Sequence, residues 1–364
     1  MTGLHTLEHL VTALRCDDIE VLGAPVIVVD LDQGCDSEQL VDLAATTVGA
    51  PRVIIGLATA PIAEPDALLA AAFDVLVCEA QEPPFPWVSA TDFTDLIAGH
   101  GGELVAELAA AVVTSPDAAI ALAQLLRSGE VLDAGDALVA ESWVYSLLQT
   151  GPRYAEWLTE RTRRTPRPET DADVVHLERR DATLCITLDR PEVRNAFSAR
   201  LRDELVAALD LVALDPTIQR VELRGRGLAF SSGGDLGEFG TAPDPITAHR
   251  IRTSRSVGLG LHRHADRVTS FVHGTCVGAG VELPAFTGTV IAHPDTSFRL
   301  PEVAMGVVPG AGGTSSIPRR IGRHRTAALA LSGLLIDAST ALRWGLVDQI
   351  DADAFTSDRE STDV

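Results

Sequence analysis

Short apolar, β-branched runs alternate with a helical segment in the first part of the chain. Residues 24–31 (APVIVVDL), 52–57 (RVIIGL) and 73–79 (FDVLVCE) have the composition and length of buried strands. Residues 36–47, between the first two runs, place apolar side chains at helical spacing after an aspartate. Because parallel neighbouring strands need a long crossover, this alternation predicts a layered α/β fold with a parallel sheet.

The charged residues exclude several kinds of chemistry. The chain contains no lysine, so all 29 basic residues are arginines. Schiff-base catalysis, attachment of pyridoxal phosphate and a P-loop lysine are therefore excluded. Residues 1–165 carry 25 acidic residues and 7 arginines, whereas residues 166–364 carry 26 and 22. This acidity repels phosphate backbones, so we expect no nucleic-acid partner, and we expect any polyanionic ligand to bind in the second half.

The cysteines and the apolar runs indicate the compartment. The five cysteines are scattered and form no C-x-x-C pair, which favours free thiols over disulfides or a zinc site. They are Cys16, Cys35, Cys78, Cys185 and Cys276. No apolar run reaches the roughly 20 residues of a membrane span, and the N-terminus lacks the basic flank of a signal peptide. We expect a cytoplasmic protein with no bound metal and no membrane contact.

A polar segment interrupts the apolar periodicity at 161–173 (RTRRTPRPETDAD), which favours a linker. The residues before it have helical patterning throughout, beginning with Ser115-Pro116, a good cap and first-turn pair. The predicted organisation is an α/β domain at 1–114, a helical module at 115–163, a linker at 164–173, a second α/β unit at 174–352 and a polar tail at 353–364.

The pattern restarts after the linker with a hairpin, 174–180 and 183–189, about an Asp-Ala turn. The further predicted elements are helix 198–212, strand 221–225, helix 247–265, strand 267–274, helix 278–286 and strand 289–293. Glycine-rich turns follow several of these strands, at the end where layered α/β proteins bind ligands.

Two of these turns, SSGGD (231–235) and GTCVGAG (274–280), can leave backbone N–H groups unpaired. Two such groups aimed at one point form an oxyanion hole, which stabilises charge on a carbonyl oxygen. Glu282 lies among small and apolar residues after the second turn, and Glu302 follows in a similar setting before a third glycine-rich turn at 307–313. A buried carboxylate is costly unless it is needed, so this pattern favours proton transfer beside a polarised carbonyl.

These motifs together resemble one family. The runs are LDRPEVRNAFSARLRDEL, LAFSSGGDLGEF, GTCVGAGVELPAF, FRLPEVAMGVVPGAGGT and IGRHRTAALALSGLLIDASTALRWGLVDQI. In this order, over about residues 174–350, they resemble the crotonase (enoyl-CoA hydratase/isomerase) superfamily. The resemblance implies a spiral of ββα units that holds an acyl-CoA thioester in a two-amide oxyanion hole.

Carried over by position, the resemblance implies roles for five residues. The oxyanion amides would be those of Gly234 and Ala279, where alanine replaces the more usual glycine and its methyl group narrows the approach. Glu282 would activate a water molecule and Glu302 would deliver a proton to the α-carbon. The amide of Gly310 would help to hold that water. The implied reaction is syn addition of water to a 2,3-unsaturated acyl-CoA.

The contacts to coenzyme A are also implied by position. Val193, Ser232 and Leu236 would line its adenine and pantetheine path. Arg190 and Arg194 would meet phosphates, or would instead form a solvated strand-end surface. Coenzyme A enters as part of the substrate, and no further cofactor is expected.

The chain departs from the family in where its helical tail lies. Family members continue for forty to fifty residues beyond the last strand, whereas this chain ends fourteen residues after Ile350. Residues 115–163 resemble that tail, so we expect them to dock on the 174–350 core of the same or of a neighbouring chain. Residues 24–113 would be a degenerate crotonase-like half or an unrelated α/β domain. A homotrimer or hexamer is implied by the family alone.

The fold does not fix the reaction. The paired glutamates favour an enoyl-CoA hydratase of fatty acid metabolism. An isomerase, a thioester or carbon–carbon hydrolase, and a non-catalytic assembly partner that keeps the fold remain open alternatives. The acyl pocket of the family is built from the helical region 247–265 and the tail helices.

Overall fold

The computed structural model describes residues 4–8, 10, 24–34, 37–47, 49–61, 67–161 and 172–358. Several sequence predictions fall wholly or partly outside the described residues: the linker at 164–173, the polar tail at 353–364 and the thiols of Cys16 and Cys35. The other three cysteines are buried and free.

Among the described residues, the N-terminal sheet has five parallel strands in chain order. They are β1 (Leu4–Thr6), β2 (Val26–Asp30), β3 (Val53–Ala58), β4 (Val75–Cys78) and β5 (Val88–Ser89). Helices α1 (Ser37–Thr47) and α2 (Ala67–Ala72) lead from β2 to β3 and from β3 to β4. The central strands are buried on both faces, as near-continuous apolar runs predict. The predicted parallel α/β arrangement is confirmed.

Four helices follow this sheet. They are α3 (Gly101–Thr114), α4 (Pro116–Gly129), α5 (Ala134–Leu148) and α6 (Pro152–Glu160). The helical segment thus begins one helix earlier than the sequence predicted. Among the described helices, none alone is long and apolar enough to cross a membrane, and α3 and α4 meet that criterion only as a pair bent by 110°.

The second unit contains a six-stranded sheet in the order β14-β11-β9-β8-β7-β6 and a three-stranded sheet in the order β10-β12-β13. Its elements are β6 (Val175–Arg180), β7 (Thr183–Leu188), α7 (Ala199–Leu214), β8 (Arg220–Gly225), α8 (Pro245–Ser254), α9 (Val257–Arg263), β9 (Val268–Val272), β10 (Thr275–Val277), α10 (Ala279–Glu282), β11 (Thr289–Ala292), β12 (Ser297–Arg299), α11 (Gly313–Ser332), β13 (Ile336–Asp337), α12 (Ala338–Trp344) and β14 (Gln349–Ile350). Consecutive strands such as β9 and β10, or β11 and β12, divide between the two sheets. The turns between them therefore lie where the sheets meet.

Two predicted helices are shorter than the sequence suggested. The helix predicted at 247–265 is broken into α8 and α9, because the Ser256 side chain accepts a hydrogen bond from the Leu259 amide and caps a new helix. The helix predicted at 278–286 ends at Glu282, and a 3-10 turn begins at Pro284, which lacks an amide hydrogen to continue the α-helical ladder.

One hydrophobic core joins the two halves of the chain. It contains side chains from α3 and α4, such as Leu108 and Leu122, together with Ile321 and Leu329 of α11 and strand residues of both units. A second, smaller core covers the other face of the N-terminal sheet and includes Trp87. The helices after this sheet therefore dock on the second unit within the same chain.

A buried ion pair reinforces this junction. Arg127 of α4 donates from Nε and Nη2 to the two oxygens of Asp74, at 2.8 and 2.6 Å, and the Ile54 amide also donates to Asp74 at 2.8 Å. Arg323 of α11 lies 3.7 Å from the same carboxylate and donates to the Phe73 carbonyl at 2.9 Å. The side chains of Arg127 and Asp74 are almost fully buried, so each charge would be destabilising without the other.

We predict that Asp74→Asn lowers the free energy of unfolding by about 3–5 kcal/mol, because it leaves the buried guanidinium of Arg127 without its counterion, whereas Arg323 keeps Glu130 at 3.3 Å. Urea unfolding followed by tryptophan fluorescence measures this change. The matched control is Asp210→Asn, an exposed position on α7, which should change stability by less than about 0.5 kcal/mol. Equal stability of the two variants would contradict the role of Asp74.

Candidate active site

The site is organised by the turn at Gly278, between β10 and α10. This residue has φ 48° and ψ −116°, a conformation that glycine adopts without strain. A Cβ atom added there would overlap Oε1 of Glu302 and would lie 3.7 Å from Oε1 of Glu282. The two carboxyl groups therefore face the same point above the Gly278 backbone.

Glu282, the last residue of α10, is 2% exposed. Its Oε2 accepts hydrogen bonds from the amides of Ala311 at 2.7 Å and Gly313 at 2.8 Å. Burial raises the pKa of Glu282 to about 7, although the two amides act in the opposite direction. Its other oxygen remains available toward Gly278.

Glu302 begins the 3-10 turn Glu302–Met305 and is 9% exposed. Its Oε2 is buried and accepts no hydrogen bond from the described residues. Burial, and then the charge of Glu282, raises the pKa of Glu302 well above its usual value. The two carboxyls thus differ in their donors: two amides favour the ionised form of Glu282, whereas Oε2 of Glu302 has no donor among the described residues.

The two predicted oxyanion turns lie against each other. Phe197 donates to the Gly233 carbonyl at 2.7 Å and accepts from the Asp235 amide at 3.0 Å, so the Gly234 N–H between them points away from this bridge. A Cβ atom at Gly233 would lie 2.9 Å from the Val277 carbonyl oxygen, which is two residues before Ala279.

Both predicted oxyanion amides are free to bind a ligand oxygen. Neither the Gly234 N–H nor the Ala279 N–H donates to any group in the described part of the chain. The Gly310 N–H likewise has no acceptor there. The structure thus brings the five predicted site residues into one region, and their chemical roles stay predictions.

Sequence reasoning missed a third buried glutamate. Glu141 lies on α5, in the N-terminal half of the chain, and is 2% exposed. Its Oε1 accepts from the Gly312 amide at 2.8 Å, and its Oε2 accepts from the Thr314 amide at 2.9 Å and the Thr314 hydroxyl at 2.7 Å. The four amides from Ala311 to Thr314, at and just before the start of α11, therefore alternate between two carboxylates, those of Glu282 and Glu141.

The environment of Glu141 raises the pKa of its carboxyl into the neutral range. Burial, and then the charge of Glu282, raises the pKa of Glu141 to about 8, against the lowering effect of its Thr314 and Gly312 donors. Four residues later, Tyr145 packs on Gly310, where a Cβ atom would overlap its ring. The sequence contained one indication that Glu141 is buried. Ala137, Glu141 and Tyr145 are spaced four residues apart, so they lie on one face of α5, and that face is buried.

The predicted contacts to coenzyme A form a second cluster. The Ser232 amide donates to the Arg194 carbonyl at 2.9 Å, and the Ser232 hydroxyl donates to the Val193 carbonyl at 3.2 Å. Leu236 is 40% exposed, and its carbonyl accepts a hydrogen bond from Arg161 at the end of α6. These residues thus lie together at the surface, beside the turn that carries Gly234.

The two arginines expected near phosphate differ in their environment. Arg190 pairs with Asp235 at 3.1 Å and donates to the Ala196 carbonyl at 2.7 Å, so its guanidinium is already engaged. Arg194 is exposed, has φ 53° and forms no ion pair with a described residue. Of the two, Arg194 is the one free to meet a phosphate.

We predict that Glu141→Gln lowers the free energy of unfolding by about 1–3 kcal/mol. Glutamine offers one acceptor oxygen in place of two, so an amide of Gly312 or Thr314 is left buried without a partner. Thermal and urea unfolding measure the change. The control is Glu107→Gln, an exposed glutamate on α3, and indistinguishable stability of the two variants would show that Glu141 does not hold α11.

Comparison with known proteins gives a consistent result. The family model described as enoyl-CoA hydratase/isomerase matches residues 178–360. The 2,3-dehydroadipyl-CoA hydratase of Escherichia coli is 34% identical over 182 residues, which are 50% of this chain and 69% of that protein. A probable enoyl-CoA hydratase of Mycobacterium bovis is 31% identical, over 49% of this chain and 68% of its own length.

Further relatives match the same region. The mevalonyl-coenzyme A hydratase of Aspergillus fumigatus is 32% identical over 46% of this chain and 62% of its own length. The solved structure of an enoyl-CoA hydratase from Thermoplasma volcanium is 30% identical, with a TM-score of 0.47 over 53% of this chain and 77% of that chain. The chain spans 62% to 69% of the length of these three curated relatives.

The family match begins at residue 178, after the N-terminal sheet and its helices. It includes both turns with free amides and both glutamates that face Gly278. The resemblance drawn from residues 174–350 is confirmed: the chain belongs to the enoyl-CoA hydratase/isomerase family.

Proposed function

We propose that this chain is an enoyl-CoA hydratase, which adds water across the 2,3-double bond of an acyl-CoA thioester. One observation carries the proposal: two buried carboxyls with different hydrogen-bond donors face a single point, beside amides that have no acceptor among the described residues. Hydration needs a base for water and an acid for the α-carbon at the same place.

The reaction then follows from the donors and acceptors. The thioester oxygen accepts hydrogen bonds from the amides of Gly234 and Ala279, which stabilise the enolate that forms. Ionised Glu282 and the Gly310 amide hold a water molecule. Glu282 takes one proton as the water oxygen bonds to C3, the double-bond electrons move into the thioester enolate, and protonated Glu302 gives its proton to C2. Both carboxyls then exchange protons to return to their starting states.

The different hydrogen-bond environments of the two carboxyls support these assignments. Glu282 accepts two amide hydrogen bonds, which favour its charged form, whereas Oε2 of Glu302 accepts none from a described residue. A double-bond isomerase would use the same carboxyls to move a proton between C2 and C4. The unpaired Gly310 amide beside Glu282 provides a place for water and favours hydration.

The remaining proposals concern binding and assembly. Val193, Arg194, Ser232 and Leu236 bind coenzyme A, which is part of the substrate, and no other cofactor takes part. The chain acts in the cytoplasm as a homotrimer or hexamer. The hydratase names of its relatives support the substrate class, an acyl-CoA thioester.

We predict that Glu302→Gln and Glu282→Gln each lower kcat for hydration of crotonyl-CoA by about 10²–10⁴-fold, because each removes one proton-transfer group. Loss of the enoyl-thioester absorbance measures the rate. Glu107→Gln, on the surface of α3, should retain wild-type activity. Full activity in either site variant would overturn the mechanism. A product that keeps its double bond but at a new position in the acyl chain would identify the enzyme as an isomerase.

We predict that kcat/KM rises with pH through about 7, as Glu282 loses its proton in the free enzyme, and falls at higher pH when Glu302 loses its own. The sign follows because the base must be ionised and the acid must be protonated. A pH series with crotonyl-CoA measures both limbs. A profile that is flat between about pH 5.5 and 8.5 would contradict the assignment of Glu282 as the base.

A further inference from the structure

A small cavity of about 80 Å³ opens beside the candidate site, between α5 and the α8–α9 break. It reaches the Gly310–Gly312 turn and Phe197, which pairs with Gly234. Part of its wall is apolar and is formed by Leu138, Val257 and Leu259. The cavity is much smaller than the roughly 300 Å³ or more of a drug-sized ligand pocket, so it suits the end of a short acyl chain.

Arg252 also lines this cavity. Its Nε donates to the Ser142 hydroxyl at 3.1 Å and its Nη2 donates to the Ser142 carbonyl at 3.3 Å and to the Ser146 hydroxyl. The guanidinium carbon lies 4.7 Å from the centre of the Tyr145 ring. Arg252 is thus held in one orientation by neutral groups of α5.

Arg252 has no carboxylate partner within the described part of the chain, since no ion pair of 4.0 Å or less involves it. The two other arginines that line the cavity, Arg202 and Arg255, share one carboxylate, Asp203, at 2.8 and 2.7 Å. Glu141 also lines the cavity, but both of its oxygens accept hydrogen bonds from the start of α11. The wall therefore has an excess of positive charge.

We propose that Arg252 binds a carboxylate at the far end of the acyl chain, so that the substrates are short ω-carboxy-2-enoyl-CoA thioesters. A half-buried guanidinium without a counterion is costly, and the Nη1 group of Arg252, which donates to no described residue, is left to donate to a carboxylate. The contacts of Nε and Nη2 to Ser142 and Ser146 orient the guanidinium, and with it Nη1, before a ligand arrives. This inference rests on the proposed function for the reaction, and its binding test does not depend on turnover.

The competing explanation is that Arg252 only ties α8 to α5 and offsets the charge of Glu141. That role would affect stability and all acyl-CoA ligands equally. The two explanations therefore differ in whether Arg252 discriminates between a carboxylate and a methyl group at the end of the chain.

The binding test compares glutaryl-CoA with pentanoyl-CoA, two five-carbon thioesters that differ at the terminal group. Calorimetry gives the Kd of each for wild type, Arg252→Gln and Arg250→Gln. Arg250 lies exposed on the same helix and is absent from the cavity wall, so it controls for the loss of one positive charge. The wild type should bind glutaryl-CoA about 10- to 100-fold more tightly than pentanoyl-CoA.

Arg252→Gln should abolish this preference while leaving the Kd of pentanoyl-CoA unchanged, which also shows that the variant is folded. Arg250→Gln should keep the preference. A wild type without preference, or an Arg252→Gln variant that weakens both ligands equally, would overturn the inference.

The activity test uses glutaconyl-CoA and 2-pentenoyl-CoA with the same three proteins. The ratio of their kcat/KM values should favour glutaconyl-CoA in wild type and in Arg250→Gln, and should fall at least tenfold in Arg252→Gln. If neither substrate is hydrated but the glutaryl-CoA preference is present, the proposed reaction fails and the assignment of Arg252 is supported. If both are hydrated with 2-pentenoyl-CoA preferred, the reaction is supported and the assignment of Arg252 is overturned.

Discussion

The start of α11 is the feature on which the site depends. Four consecutive amides, two in the preceding turn and two in the first turn of the helix, form no helical hydrogen bonds of their own and are divided between two carboxylates. Those of Ala311 and Gly313 bind Glu282, and those of Gly312 and Thr314 bind Glu141. Because Glu141 comes from α5, the N-terminal half of the chain completes a site whose other parts lie after residue 190. The same interaction fixes the turn that carries the Gly310 amide.

This arrangement makes the electrostatics of the site unusual. Three carboxyls are buried close together, and each is exposed to 9% or less. Hydrogen-bond donors favour the ionised form of two of them, whereas Oε2 of Glu302 has no donor among the described residues. Burial, and for Glu141 and Glu302 also the charge of Glu282, raises the pKa of all three carboxyls. Arg252, on the cavity wall nearby, adds positive charge without belonging to an ion pair among the described residues.

Much of this fold and part of the site could be predicted from the sequence. The strands at 24–31, 52–57 and 73–79 could be predicted because short apolar, β-branched runs are typical of buried strands. Glycine-rich turns and isolated carboxylates similarly marked Glu282 and Glu302. Glu141 was not predicted, because a single glutamate on a helix has the same pattern whether it faces solvent or a partner that lies 171 residues away. The break at Ser256 was missed because the residues on both sides have continuous helical patterning. The sequence does not show that the Ser256 side chain caps a new helix.

The most direct test of the account is a titration of the glutamate side-chain carboxyls by NMR of protein labelled with ¹³C at glutamate Cδ. The account predicts three signals that titrate far above the usual value for glutamate, about 4.3. One should have a pKa of about 7 and disappear in Glu282→Gln, and one a pKa of about 8 and disappear in Glu141→Gln. The third, from Glu302, should have a pKa well above the usual value. If every glutamate signal titrated below about pH 5.5, the buried carboxyl cluster could not act as acid and base, and the account would be wrong.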